Sequence, residues 1–265
     1  MSALIDASSA IDEVSKIVAA LPVYIAGSAA ASAQPHAPST TAYDDIDLFF
    51  ASESGVVAGV QRFIDAGYTL DPRHERVWHR WMKMGLGKWH THSIKLSKGS
   101  IDVNCVFKIV DGHPTTSAAQ VIESFDFGLL AHAFDCELMV WRDMRSYMFP
   151  QIADLDGALP LLPLRREAWV GGFISQYQGL REIGRYIKYL DYGWDLSLVK
   201  PDLITGYWSV SNYLTNRGGA EREALGKIYE TLAINLEDDD FTSLRDASKE
   251  ILFMDDLDKI MEALQ

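Results

Sequence analysis

The sequence predicts an α+β protein with an N-terminal mixed part to about residue 150, followed by an all-helical part over residues 151–265. Three observations carry this expectation. Strand-length apolar runs and helix-length amphipathic segments share the first half of the chain. A hairpin pattern surrounds Lys98-Gly99, with alternating residues on either side. Beyond Pro150, Pro160 and Pro163, which punctuate a linker, the apolar positions Trp169, Phe173, Tyr177, Leu180, Ile183, Ile187 and Leu190 step by three or four, the helical period. The 265 residues suit two packed domains, and a hydrophobic content of 48% is enough for a core.

Taken in order, Ala10 to Ala20 reads as a helix with Ser9 and Asp12 placed as a capping box, and Pro22 ends it. Val23 to Ala26 reads as a buried strand. Gly27 to Ala33 reads as a short helix with Ser28 in its first turn, and Gln34 to Tyr43 as a loop. Asp45 to Phe50 is a strand, and Val56 to Ala66 a helix closed by Gly67. Val77 to Met84 is ambiguous between helix and strand. His92 to Ser97 and Ser100 to Val106 form the hairpin, Thr116 to Ser124 a helix, and Phe127 to Phe134 with Glu137 to Trp141 a further strand pair. In the second half Asp202 to Thr215 and Ala224 to Leu236 read as helices around Gly218-Gly219.

Composition narrows the function. No apolar stretch reaches the roughly 18 residues of a membrane span. The N-terminus lacks a basic region followed by an apolar core, so the expectation is a cytoplasmic protein without membrane partners. Cys105 and Cys136 lie in apolar runs and read as buried thiols. A net charge of −13 argues against a general nucleic-acid coat, but the charge is uneven. From Glu237 onward there are ten acids and three bases, whereas Pro72 to Lys108 holds eight bases and two acids, a region suited to anionic ligands.

The carboxylates point to chemistry. Side chains alternate along a strand, so in DIDLFF the residues Asp45, Asp47 and Phe49 share one face and Ile46, Leu48 and Phe50 the other. Two carboxylates at this spacing, about 7 Å apart at Cα, repel unless a cation lies between them. Hard oxygen ligands of this kind suit Mg²⁺ or Mn²⁺. In SIDVNCVF, Asp102 and Asn104 again stand opposite an apolar stripe. If that strand neighbours the first, three acids converge in the geometry of a two-ion phosphoryl-transfer site. The Gly27-Ser28 turn adds a close backbone approach and a hydroxyl for terminal phosphates.

At these residues the chain resembles the DNA-polymerase-β-like nucleotidyltransferase superfamily, whose signature is a GS turn, a D-x-D strand and a third acid on a later strand: here Gly27-Ser28, Asp45-x-Asp47 and Asp102. ESFDFGLLAHAFD and GRYIKYLDYGW are similar to stretches of bacterial and viral members. The spacer from Ser28 to Asp45 is longer than usual in that family and rich in Ala and Pro. The resemblance implies a mixed sheet flanked by helices. It implies Mg²⁺ or Mn²⁺ as cofactor, and transfer of a nucleoside monophosphate from an NTP to an acceptor hydroxyl on RNA (such as tRNA), a protein or a small molecule, with release of pyrophosphate. By the same match Asp45 and Asp47 would ligate both metals, and Asp102 would ligate the catalytic one and assist deprotonation of the acceptor, while Gly27 and Ser28 would hold the nucleotide. A non-catalytic nucleotide- or protein-binding module and a phosphohydrolase stay open as alternatives.

Other features have two readings each. Arg181, Arg185 and Lys188 share a helix face, either as a clamp for triphosphate or acceptor or as a solvated basic face. RHERVWHRWMKMGLGKWHTHSIK joins bases to Trp78, Trp81 and Trp89, either as a stacking surface for single-stranded nucleic acid or as a core with a basic rim. His74, His79, His90 and His92 lack further ligands at zinc spacing. Asp126 reads as a structural acid rather than a further ligand. The acidic tail reads as a solvated helix pair, with a partner-binding or nucleic-acid-mimicking surface as its alternative.

Overall fold

A computed structural model describes residues 6–35, 37–38, 43–84, 91–110, 112–125, 127–143, 173–197 and 199–246. The proline-punctuated linker, Trp89, His90, Asp126, Trp169 and the tail beyond residue 246 lie outside the described residues. The chain divides into two compact units, Met1–Phe125 with Leu129–Asp156, and Asp126–Gly128 with Gly157–Gln265.

In the first unit, helix α1 (Ala7–Ile17) precedes strand β1 (Val23–Ala26), the short helix α2 (Ser28–Ser32), strand β2 (Ile46–Phe50) and helix α3 (Glu53–Asp65). Then come β3 (Thr69–Leu70), α4 (Pro72–Met84), β4 (His92–Lys98), β5 (Ile101–Phe107), the small pair β6 (Ile109–Val110) and β7 (His113–Pro114), α5 (Ala118–Glu123), β8 (His132–Asp135) and β9 (Val140–Asp143). The seven-stranded sheet has the order β3-β4-β5-β2-β1-β8-β9. The β2–β5 pair is parallel and the other pairs are antiparallel, so the sheet is mixed. No helix among the described residues is long and apolar enough to cross a membrane.

The two faces of the sheet differ. Val23 and Ile25 of β1, Ile46, Leu48 and Phe50 of β2, Ile94 and Leu96 of β4, and Ile101, Val103, Cys105 and Phe107 of β5 form one core with residues of α1, α3 and α4. Burying each large apolar side chain contributes about 1.5–3 kcal/mol, and this stripe fixes the strand register. On the other face Ala26, Phe49 and Val106 pack with Val121 and Ile122 of α5 and with Ala131 and Ala133. That second apolar patch stops at Asp47 and Asn104, where the face turns polar.

Several elements correct the sequence-based expectation. Helix α1 begins three residues early, and Asp6 rather than Ser9 caps it, accepting from the Ser9 backbone N–H. Starting there lets the helix bury Ala7. Helix α3 begins at Glu53, capped by the Ser52 hydroxyl on Gly55 N–H at 3.0 Å. The ambiguous Val77–Met84 segment is helical, part of α4. The apolar run from Phe127 is not one strand: Gly128–Leu130 forms a 3₁₀ turn, and β8 starts only at His132. Both cysteines are free and buried.

In the second unit, α6 (Phe173–Asp191), α7 (Lys200–Arg217) and α8 (Ala220–Glu237) are long helices. Gly218 and Gly219, at φ +67° and +99°, make the turn between α7 and α8 that residues with a Cβ rarely adopt. Leu203, Tyr207, Val210 and Leu214 of α7 and Leu225, Tyr229, Leu232 and Leu236 of α8 are buried, with the Tyr207 and Tyr229 rings 5.4 Å apart.

Candidate functional site

The polar end of the second sheet face is built from four strands. Ala26 of β1 is paired with Asp47 of β2, Asp47 with Asn104 of β5, and Asn104 with Lys95 of β4. These residues form one row across the sheet, each about 4.8 Å from the next. Asn104 Nδ2 donates to Asp47 Oδ1 at 2.8 Å, so the amide fixes the orientation of the carboxylate.

Gly27 follows immediately after β1, at φ +83° and ψ −153°, a conformation almost confined to glycine. A Cβ on Gly27 would lie 2.9 Å from Asp47 Oδ2. The missing side chain is therefore filled by the second aspartate of the D-x-D. Ser28, buried, opens α2 beside it. The Gly-Ser turn and Asp47, separated in sequence by the long spacer, are in contact.

Asp45 precedes β2, and its Oδ2 accepts a hydrogen bond from Lys95 Nζ at 2.6 Å. The Asp45 side chain is 14% exposed against 45% for Lys95, so the pair lies partly out of water. Burial works against the Lys95 charge, but the hydrogen bond and charge of Asp45, with the charge of Asp47, outweigh it and raise its pKa. The parallel register pairs Ile46 with Val103, which puts Asp45 and Asp102 next in line, one position before each of the two strands' paired residues. Asp102 is exposed and sits opposite Ser97. The third acid thus stands beside Asp45, at the sheet's margin, while Asn104 takes the place beside Asp47.

Asp44, Asp45, Asp71, Arg73, Lys95 and Asp102 line a cavity of about 550 Å³. Arg73 pairs with Asp71 at 2.6 Å and holds that carboxyl well below the usual range through its hydrogen bonds. His74 Nδ1 accepts the Lys95 backbone N–H at 2.7 Å and so anchors β4 to α4.

Carboxylate and amide oxygens are the hard donors Mg²⁺ or Mn²⁺ prefers. Asn104 Oδ1 is buried without a hydrogen-bond partner, and an unpaired acceptor costs about 1–3 kcal/mol unless something satisfies it. In these respects the residues fit. Among the described residues, however, no group of three or more His, Cys, Asp or Glu is gathered around one point as a metal site.

Trp78 and Trp81 are buried in the first core, which removes them as a stacking platform. Arg185 and Lys188 lie half-buried on α6 in the other unit, with Lys188 Nζ 5.5 Å from the Tyr192 ring centre. Sequence reasoning missed the partners of Lys95, Asn104 and His74. Alternation in HSIKLSK places Lys95 on the polar face, but its partners depend on strand order, which the sequence does not state. Compared with known proteins, the chain matches no family model, no curated protein sequence and no solved structure.

Proposed function

We propose that the N-terminal unit is a metal-dependent nucleotidyltransferase of the DNA-polymerase-β-like type, moving a nucleoside monophosphate from an NTP to an acceptor hydroxyl. The acceptor oxygen forms a bond to the α-phosphorus, the bond from that phosphorus to the β-phosphate bridging oxygen breaks, and pyrophosphate leaves. The observation that supports this reading is the contact between Gly27 and Asp47 Oδ2, which unites the Gly-Ser turn with the D-x-D strand. Asp45 and Asp47, with the Asn104 amide oxygen, are the residues that would hold a divalent ion, and Asp102 at the open margin would take the proton of the acceptor hydroxyl. When bound, the ion supplies charge neutralisation at the phosphate oxygens. The bare backbone at Gly27 leaves room for the Asp47 carboxylate beside the Gly-Ser turn, and Lys95 would add positive charge beside the phosphates.

The test is incubation with each α-labelled NTP, Mg²⁺ or Mn²⁺, and RNA, protein or small-molecule acceptors. Label transfer with pyrophosphate release is expected, reduced by at least about a hundredfold in Asp47→Ala. No transfer to any acceptor refutes the reading. A second reading, a nucleotide- or protein-binding module without turnover, is favoured by the Lys95–Asp45 and Asn104–Asp47 contacts, through which the protein satisfies its own acids. Mg²⁺-dependent thermal stabilisation by NTPs without product formation would select it.

A further inference from the structure

Helix α4 carries a row of cations that the site chemistry does not use. At 100° per residue, Arg73, Arg76, Arg80 and Lys83 fall within a sector of about 80°. Trp78 and Trp81 lie toward the opposite side, with Val77 flanking the row, and all three pack in the core. All four cations are exposed. Glu75 is the only acid of the helix, and it lies 3.9 Å from His79. Arg73 is tied to Asp71, but among the described residues Arg76, Arg80 and Lys83 enter no ion pair. At about 1.5 Å of rise per residue the row is about 15 Å long. Its first member, Arg73, lines the aspartate cavity.

A single phosphate or carboxylate needs one or two cations at a point. A line of four, starting at a cavity and leading away from it, complements a linear polyanion. Trp78 and Trp81, the tryptophans of α4, are buried, so among the described residues the row engages phosphates rather than stacking bases on tryptophan. The cavity has the volume of a small-ligand site, room for the end of one strand and not for a duplex. A chain of net charge −13 has no general attraction for polyanions, which confines binding to this strip.

We infer that α4 is the binding track for a single-stranded nucleic acid, held by its phosphodiester backbone without base preference, with its terminal hydroxyl directed to the Asp45–Asp102 cavity. The purpose assigned to the strand, that of acceptor, rests on the nucleotidyl-transfer reading; its binding does not.

The experiment is fluorescence anisotropy of end-labelled single-stranded RNA and single-stranded DNA on the full chain, without nucleotide, across about 50–200 mM salt. Arg76→Gln/Arg80→Gln/Lys83→Gln is expected to bind at least tenfold more weakly, with the slope of log K against log salt reduced by about 2. Arg217→Gln/Arg222→Gln/Lys227→Gln removes the same charge from exposed positions of α7 and α8 and is expected to bind within about twofold of wild type. Circular dichroism melting verifies that both variants fold. Failure of both strands to bind at about 50 mM salt overturns the inference, as does an unchanged affinity and slope in the α4 variant or an equal loss in the α7–α8 variant. Strand binding lost in the α4 variant, with no transfer to any acceptor, sinks the transferase reading alone. Transfer to a protein or small hydroxyl acceptor without strand binding sinks this inference alone.

Discussion

Gly27→Ala tests the geometry at the centre of the site. Two costs add. The backbone at φ +83°, ψ −153° is strained for any residue with a Cβ, by about 1–3 kcal/mol. The new methyl would also sit 2.9 Å from Asp47 Oδ2, closer than such contacts allow. The carboxylate must therefore move, and moving it stretches the 2.8 Å hydrogen bond from Asn104, a charged-acceptor bond contributing about 1.5–3 kcal/mol. The expected loss is about 2–5 kcal/mol in urea unfolding of the first unit. A double-mutant cycle separates the shares: in Asp47→Ala the contact is gone, so Gly27→Ala should cost only the backbone share, leaving a coupling of about 1–2 kcal/mol. Equal costs in the two backgrounds would show that Gly27 and Asp47 do not touch, and would remove the observation on which the transferase reading rests.

In Gly59→Ala the added methyl would lie 2.2 Å from the buried Phe50 ring, so overpacking of about 1–3 kcal/mol or more outweighs the helix-propensity gain of about 1 kcal/mol; urea unfolding should show net destabilisation, partly relieved by Phe50→Leu. His74 is held below its ordinary pKa by burial, with Asp71 pulling it up and Lys95 and Arg73 pushing it down. Its contribution is therefore present above about pH 6.5 and lost as pH falls through the lower folded value, so wild-type melting temperature should drop below that pH and His74→Gln, which keeps an acceptor for Lys95 N–H, should flatten the slope. Asp102→Asn, at an exposed position, should alter stability by less than about 0.5 kcal/mol while abolishing label transfer, a dissociation that unfolding and transfer assays read separately.

What could be read from the sequence was local. Strand β1 lies where its apolar run predicts, and the alternation of DIDLFF and SIDVNCVF sorted core from polar faces because period two leaves no second choice. Helix α4 stayed ambiguous because Val77-Trp78 and Trp81-Met82 satisfy parts of either period, and the core under α4 decided between them. The sequence alone does not decide the α1 cap, because Asp6 and Ser9 are both competent caps and only the burial of Ala7 selects the earlier one. The run from Phe127 reads as a strand on hydrophobicity alone, yet Gly128–Leu130 turns. Non-local facts were out of reach: that β2 and β5 are parallel, that Asn104 rather than Asp102 stands beside Asp47, and that Lys95 reaches Asp45.

Those non-local facts explain how the acids are tolerated. A carboxylate only 14% exposed, such as Asp45, would be costly without compensation, and Lys95 supplies a resident counter-charge at 2.6 Å. Asn104 plays the neutral counterpart for Asp47. The fold thus holds its acidic pair at modest cost in the absence of any ligand. A divalent cation carries twice the charge of an ammonium group and at equal distance would attract Asp45 about twice as strongly as the half-exposed Lys95 does. The same resident partners mean that substituting Asp45 or Asp47 disturbs stability whether or not the site turns over. Unfolding data on those variants report the loss of Lys95 and Asn104 contacts, so the transfer assay, run on the folded Asp102 variant beside wild type, is the measurement that separates an enzyme from a binding module.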